Sequence, residues 1–419
     1  MPPKENNRYL ITPRRILLAA FGDPGHAFPT IALGRELVGR GHEVCIETWD
    51  KWRDDCEREG MQFTPAPIYE VWPMGGSPLK PYQAAVRASG ESAALIRSFD
   101  PDVVVADILT VATSLAAQME ERPWATLIPH VLPTAEPGFP PYSIGARFPR
   151  TRVGARLWQL LDPLVRQGIE EGRVQLNGAR SRVGLPPLDY MHGGISRQLA
   201  IVATFPQLEY PRRRWQPSVR VTGPLMWERP YGDVELPPGD DPLVLIAPST
   251  AQDAEQRMLA AALQGLAGEP VRVLATYNRR PPAEPLDVPG NARLVEWVSY
   301  SRTMPLCDAV VFHAGHGTLV RSLACGVPVV ACPAAGDMAE NAARVAWAGA
   351  GVSLPRRMVT PRGIRLAVRR VLGDPRYARR ADELRAWAER SDGAANAAAE
   401  VEQLASTRPA PVAGATDRS

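Results

Sequence analysis

Residues 309–318 read AVVFHAGHGT, and this stretch decides the fold. Ala309–Phe312 is an apolar, valine-rich run that stops at His313. Gly315, Gly317 and Thr318 follow, and Leu319–Cys325 then reads as a helix. A strand that ends in a glycine-spaced turn and enters a helix gathers several backbone N–H groups at one point, at the positive end of the helix dipole. That arrangement suits a phosphate or diphosphate, and His313 could add a hydrogen bond or a charge to the same anion. The spacing is neither the dinucleotide fingerprint nor a P-loop, and glycine-rich strand-to-helix turns are common in α/β proteins. The next segment favours the anion site. Val327–Cys332 reads as a second buried strand, followed by a loop carrying Asp337 and a helix over Met338–Ala348 that ends in glycine. Two successive strand ends thus offer an anion cradle and an acceptor for sugar hydroxyls, on the edge where open parallel sheets bind ligands.

Outward from this centre, apolar runs alternate with helical segments along both halves of the chain. Leu243–Ala247, Val271–Thr276 and Ala292–Trp297 read as strands ahead of the central motif. In the first half Ile16–Ala20, Glu43–Thr48, Asp102–Ala106, Thr126–Pro129 and Val219–Gly223 do the same, with a helix from about Val111 and a helix or helix pair over 153–183. Pro29 suits the first turn of a helix that ends near Gly39–Gly41. The alternation predicts an α/β protein with two doubly wound, Rossmann-like domains. Residues 133–150, rich in proline, glycine and aromatics, predict a long loop. The expected division is a first domain over 1–226, a linker over 227–241, a second domain over 242–405 and a disordered tail over 406–419.

Composition narrows the function. The chain has 419 residues, 45% hydrophobic and 22% charged, enough for two separate cores. A net charge of +3 is too mild to argue for nucleic acid. Arginine is dense between Arg147 and Arg214, which reads as a solvated helical face or as an acidic-membrane contact. Five cysteines (45, 56, 307, 325, 332) show no zinc spacing, and Cys45, Cys325 and Cys332 lie in apolar runs, as buried thiols do. No acidic metal cluster and no run approaching membrane-spanning length is visible, so the expectation is a soluble, cytoplasmic protein without an integral membrane segment.

Several residues could carry chemistry. His26 follows the first strand in GDPGHAFP, where a neutral imidazole could take a proton, or could simply cap a helix or stand exposed. Asp107 ends the DVVVA run on the same sheet edge and could orient that imidazole, or could cap the helix from Val111. Trp297 closes a strand and could stack on a nucleobase while the backbone of Val298 reads the base edge; a core tryptophan is the alternative. Ser249 and Thr250 could reach a phosphate or cap the next helix. Apolar side chains in irregular stretches, Trp72 and Met74 in YEVWPMGG and His130, Phe139, Tyr142 and Phe148 around the proline-rich loop, suit a hydrophobic small molecule or ordinary loop packing.

The stretch from about Asn291 to Gly351 resembles the donor-binding half of GT-B glycosyltransferases, in particular bacterial natural-product and macrolide-type enzymes. Trp297, then His313, Gly315, Gly317 and Thr318, then Asp337 carry the resemblance, which continues more weakly through the N-terminal third. It implies two domains facing across a cleft and inverting transfer of a sugar from a UDP- or dTDP-linked donor to a hydroxyl of a hydrophobic natural product. It also implies His26 as general base with Asp107 as its partner, the His313–Thr318 turn on the diphosphate, and Asp337 with its neighbour on the sugar. No metal or other cofactor is then required. The acceptor is expected on the N-terminal domain, and a homodimer is left open.

This chain departs from the family pattern at two positions. Met338 stands where a glutamine usually follows the aspartate. Arg321 stands where many relatives carry a ribose-binding glutamate; it could reach a phosphate or point to solvent. Glu340 or Asn341 could compensate for the missing amide. The departures point to a deoxysugar donor. The rival readings are a nucleotide-sugar epimerase of the same fold and an inactive member that activates a partner enzyme.

Overall fold

The computed structural model describes residues 12–68, 81–189, 194–249, 256–334 and 336–407. In the first half β1 (Arg15–Ala19), β2 (Glu43–Thr48), β3 (Gln62–Pro65), β4 (Val103–Asp107), β5 (Trp124–Ile128), β6 (Leu199–Val202) and β7 (Val219–Val221) are the strands. They are joined through α1 (Pro24–Gly39), α2 (Arg53–Arg58), α3 (Pro81–Phe99), α4 (Val111–Met119), α5 (Arg152–Gln159) and α6 (Asp162–Arg182). The second half supplies β8 (Leu243–Ala247), β9 (Arg272–Thr276), β10 (Ala292–Val295), β11 (Ala309–Phe312), β12 (Val329–Ala331) and β13 (Gly351–Ser353). Its helices are α7 (Arg257–Leu266), α8 (Tyr300–Thr303), α9 (His316–Ala324), α10 (Met338–Ala348), α11 (Pro361–Gly373), α12 (Pro375–Ala388) and α13 (Gly393–Ala405).

Both sheets are parallel, in the orders β3-β2-β1-β4-β5-β6-β7 and β10-β9-β8-β11-β12-β13. Central strands such as VVVAD and AVVF are buried along their whole length, because helices cover both faces and leave no solvent side to be marked by polar residues. The order of the first sheet reverses between β1 and β4, where Ala19 lies beside Ala106. The second reverses between β8 and β11, where Ala247 lies beside Phe312. Loops leave these two points in opposite directions and open a crevice at each, the usual ligand edge of a doubly wound sheet.

Two helices begin earlier than the sequence predicts. α1 starts at Pro24, whose fixed φ suits the first helical position, and Pro29 lies inside it at the loss of one bond to the Gly25 carbonyl. His26 is therefore in the first turn of a helix, not in a loop. α9 starts at His316, so part of the glycine-rich turn is itself helical.

The chain does not divide cleanly at the linker. The last helix among the described residues, α13, returns to the first sheet, where Ala397, Ala398, Val401 and Leu404 join the core built on β1 and α1. Glu402 pairs with Arg40 at 3.1 Å and with His42 at 2.9 Å. The two chain crossings touch: a side chain on Gly223, which has φ +105, would lie 3.2 Å from the Cα of Gly393. A third connection is ionic. Arg344 of α10 bonds Glu340 at 2.7 Å and reaches Glu209 of the first half at 3.2 Å, with all three side chains buried.

Candidate active site

At the first switch point α1 and β4 bring an imidazole to a carboxylate. Nδ1 of His26 lies 2.8 Å from Oδ2 of Asp107, whose side chain is completely buried. The other carboxylate oxygen accepts the Leu109 N–H at 2.9 Å. Asp107 does not cap α4, whose N-cap position is Thr110. The carboxylate thus fixes Nδ1 as the protonated nitrogen and turns Nε2 outward. Burial works against a charge on His26, but the Asp107 hydrogen bond and the charges of Asp107, Asp337 and Asp23 outweigh it, and the pKa is raised above the ordinary 6.5. The ring of His130 stands 6.4 Å away, and burial lowers its pKa.

At the second switch point the chain bends sharply after β11. His313 keeps its N–H on the Ala247 carbonyl at 3.3 Å and places Nδ1 3.2 Å from the same oxygen. Ala314 is left-handed, with φ 65, a conformation that costs a non-glycine residue about 1 kcal/mol. Asn341 of α10 holds it there, donating from Nδ2 to the Ala314 carbonyl at 3.0 Å. The same amide takes Nδ1 of His316 at 3.1 Å. Burial pushes the His316 pKa down to about 4, so this imidazole is neutral at pH 7. A Cβ on Gly315 would run into Nε2 of His313, whereas a Cβ on Gly317 would meet no protein atom. Gly315 is bare for the turn. Gly317 lines the cleft, and its bareness leaves room there. The N-cap position of α9 is Gly315, which offers no capping side chain to the first-turn N–H groups beside the cleft.

The two points face one cleft of about 300 Å³. Of the residues singled out in the sequence, His26, His130, Ser249, Trp297, His313, Gly315, Gly317, Thr318, Asp337 and Met338 line it. Trp297 carries the Arg279 guanidinium 5.0 Å from its ring and lies nearly parallel to Tyr300. Ser249 is buried at the cleft, and the residues that follow it, 250–255, fall outside the described ones. Val298 has its side chain in the core. Thr250 and Trp72 fall outside the described residues.

Other expected groups are committed elsewhere. Phe139 is not brought to the cleft: it packs edge-on to Phe148 at 5.2 Å and lines a separate cavity of about 220 Å³ against α6. Tyr142 stands behind His130, its hydroxyl 3.3 Å from Nδ1. Glu340 and Asn341 are not brought to the cleft beside Met338: Glu340 is tied to Arg344 and Asn341 to the turn after β11. Arg321 neither projects to solvent nor stands unengaged; it donates to the Trp227 carbonyl at 3.0 Å and lies 3.7 Å from Glu228. Sequence reasoning passed over Asp23, Glu228, Asn278, Tyr300 and His316, which also line the cleft. His316 alone had a signal, the second histidine of HAGHGT. Among the described residues no group of three or more His, Cys, Asp or Glu could hold a metal ion, and no helix is long and apolar enough to cross a membrane.

Known proteins match this arrangement along nearly the whole chain. Residues 259–404 fit the erythromycin biosynthesis protein CIII-like C-terminal domain, and residues 16–121 the glycosyltransferase family 28 N-terminal domain. The chain is 30% identical over 408 residues to 4'-demethylrebeccamycin synthase of Lentzea aerocolonigenes, covering 88% of this chain and 94% of that one. It is 27% identical to O-mycaminosyltylonolide 6-deoxyallosyltransferase of Streptomyces fradiae, covering 94% and 98%. The crystal structure of glycosyltransferase VinC in complex with dTDP superposes with a TM-score of 0.69 at 18% identity, covering 94% and 100%. With this fold and this cleft, the chain belongs to the GT-B glycosyltransferases of natural-product, macrolide type, enzymes that draw on a nucleotide-sugar donor.

Proposed function

We propose that the protein transfers a sugar with inversion from a UDP- or dTDP-sugar to a hydroxyl of a hydrophobic natural product, with His26 as general base. The observation that carries this reading is the His26–Asp107 pair at one switch point, across the cleft from the glycine-led start of α9 at the other. The acceptor oxygen attacks the anomeric carbon as the bond from that carbon to the diphosphate oxygen breaks. Its proton passes to Nε2 of His26, while Nδ1–H donates to Asp107. The electron pair of the broken bond leaves on the diphosphate, and the amides of the His313–Thr318 turn stabilise that charge in place, so that a metal ion need not do so. Asp337 lines the same cleft and its charge reaches His26, which supports a role for it in holding a hydroxyl of the transferred sugar.

The donor sugar follows from Met338. A thioether in the cleft beside Asp337 donates no hydrogen bond, so a fully hydroxylated hexose gains little there over a deoxysugar. The S. fradiae relative is itself named as a 6-deoxyallosyltransferase. Transfer to a panel of polyketide and aromatic alcohols, run in EDTA with UDP-glucose competing against a dTDP-deoxyhexose, tests the whole reading. Acceptor-dependent product of inverted anomeric configuration and preference for the deoxysugar are expected. Donor conversion without an acceptor would overturn transfer, retained configuration would overturn inversion, a need for added metal would overturn the metal-free departure, and preference for UDP-glucose would overturn the donor assignment.

A further inference from the structure

The segment that leaves the first sheet reads Trp227-Glu228-Arg229, and its side chains alternate between the two halves as they do in extended backbone. Trp227 is buried in the first core and donates from Nε1 to Glu59 at 2.6 Å. Arg229 bonds Asp55 at 2.8 Å. Glu228, between them, faces the second half. Its Oε1 takes the Ser299 hydroxyl at 2.6 Å, the Ser301 hydroxyl, and the Ser301 N–H at 3.1 Å. Oε2 is different: its neighbours are the Ser301 N–H at 3.4 Å and the Arg321 guanidinium at 3.7 Å. A carboxylate oxygen accepts two or more hydrogen bonds at shorter range than these, so Oε2 retains capacity, and Glu228 lines the cleft.

Its position along the cleft limits what it can meet. Arg321 is one helical turn beyond Thr318, about 4.5 Å along α9, which is the scale of the step from a nucleotide's phosphate to its pentose. On the other side stand Trp297 and Tyr300, aromatic faces suited to a base. A carboxylate between an anion cradle and an aromatic wall meets a group that is neither charged nor flat. Arg321 offsets its charge, and donation from Arg321 to the Trp227 carbonyl at 3.0 Å holds the segment against the helix.

We propose that Oε2 of Glu228 accepts a hydrogen bond from a pentose hydroxyl of the donor nucleotide, with Arg321 as the positioning residue. The inference rests on the nucleotide-sugar reading and adds that the interdomain segment supplies part of the nucleoside site. The test is the affinity of wild-type protein for UDP and for 2',3'-dideoxy-UDP by calorimetry, repeated with Glu228→Ala and Arg321→Ala. In the wild type, loss of both hydroxyls weakens binding roughly ten- to a hundredfold, the range for a hydrogen bond to a charged acceptor. In Glu228→Ala the two ligands bind alike, and in Arg321→Ala the ratio falls toward one. A wild type that binds both equally overturns the proposal without need of any variant. So does a Glu228→Ala protein that keeps the wild-type ratio. Failure of the wild type to bind UDP, dTDP or any of their sugars would instead remove the donor reading itself.

Discussion

The two switch points are built of different materials, and in the proposed mechanism they do different chemistry. At β1 and β4 the protein places two titratable side chains in contact, because moving a proton requires a group whose pKa can be set. At β8 and β11 it places a helix start, a left-handed alanine and imidazoles held by neutral partners, because receiving a departing anion requires dipoles already in position. The first point is therefore sensitive to charge and the second to shape.

The largest effect should break the first point alone. His26→Ala should lower kcat by about 10²- to 10⁴-fold while the donor dissociation constant, measured without acceptor, stays within about twofold. Equal losses in both would mean that the two points are not separable. Asp107→Asn probes charge without changing size. The rate should rise with pH through the His26 pKa, which lies above 6.5, because the imidazole must be neutral to accept a proton. Removing the carboxylate charge should move that limb to lower pH and reduce the plateau, measured as kcat/KM against pH. A limb that stays in place would assign it to another group.

The second point should answer to shape. Gly317→Ala should leave the melting temperature unchanged or slightly higher, since a helical alanine is favourable and meets no protein atom, yet weaken donor binding by about tenfold. Gly315→Ala should instead lower the melting temperature, because the new methyl group displaces His313. If both variants lose only stability, the turn is not a ligand cradle. The smallest effect expected is His313→Ala, about five- to tenfold in donor affinity with the fold retained, the size of one hydrogen bond.

This contrast explains what the sequence could and could not disclose. Leu243–Ala247, Ala309–Phe312 and Met338–Ala348 are found as predicted, because each is a strongly apolar or amphipathic run closed by turn residues. β3, β6 and β13 escaped: β3 and β13 are short strands at sheet edges that take their pairing from a neighbour and need little apolar character of their own, whereas β6 is an interior strand whose apolar run is only four residues long. The start of α1 was misplaced because two prolines five residues apart both suit a first turn. In the cleft, residues inside the glycine-spaced motif and at strand ends were legible. Glu228 was not: its partner Ser299 lies 71 residues along the chain, and locally it is one acid in a proline-rich linker. Asn341 was read as a sugar contact because nothing nearby in sequence shows that it supports the turn 27 residues before it.

The return of α13 sets a rule for recombination. Residues 393–405 follow the second sheet in sequence but pack on α1, so the unit that must be inherited together is discontinuous. A hybrid spliced once in the linker would seat one parent's final helix on the other parent's first, leaving Arg40 and His42 to find a carboxylate where Glu402 stands here. It would also separate Arg344 from the Glu209 with which it is buried. Shuffled enzymes of this kind should fold best when a second splice, just before Gly393, returns α13 to its own first domain, and when position 209 travels with position 344.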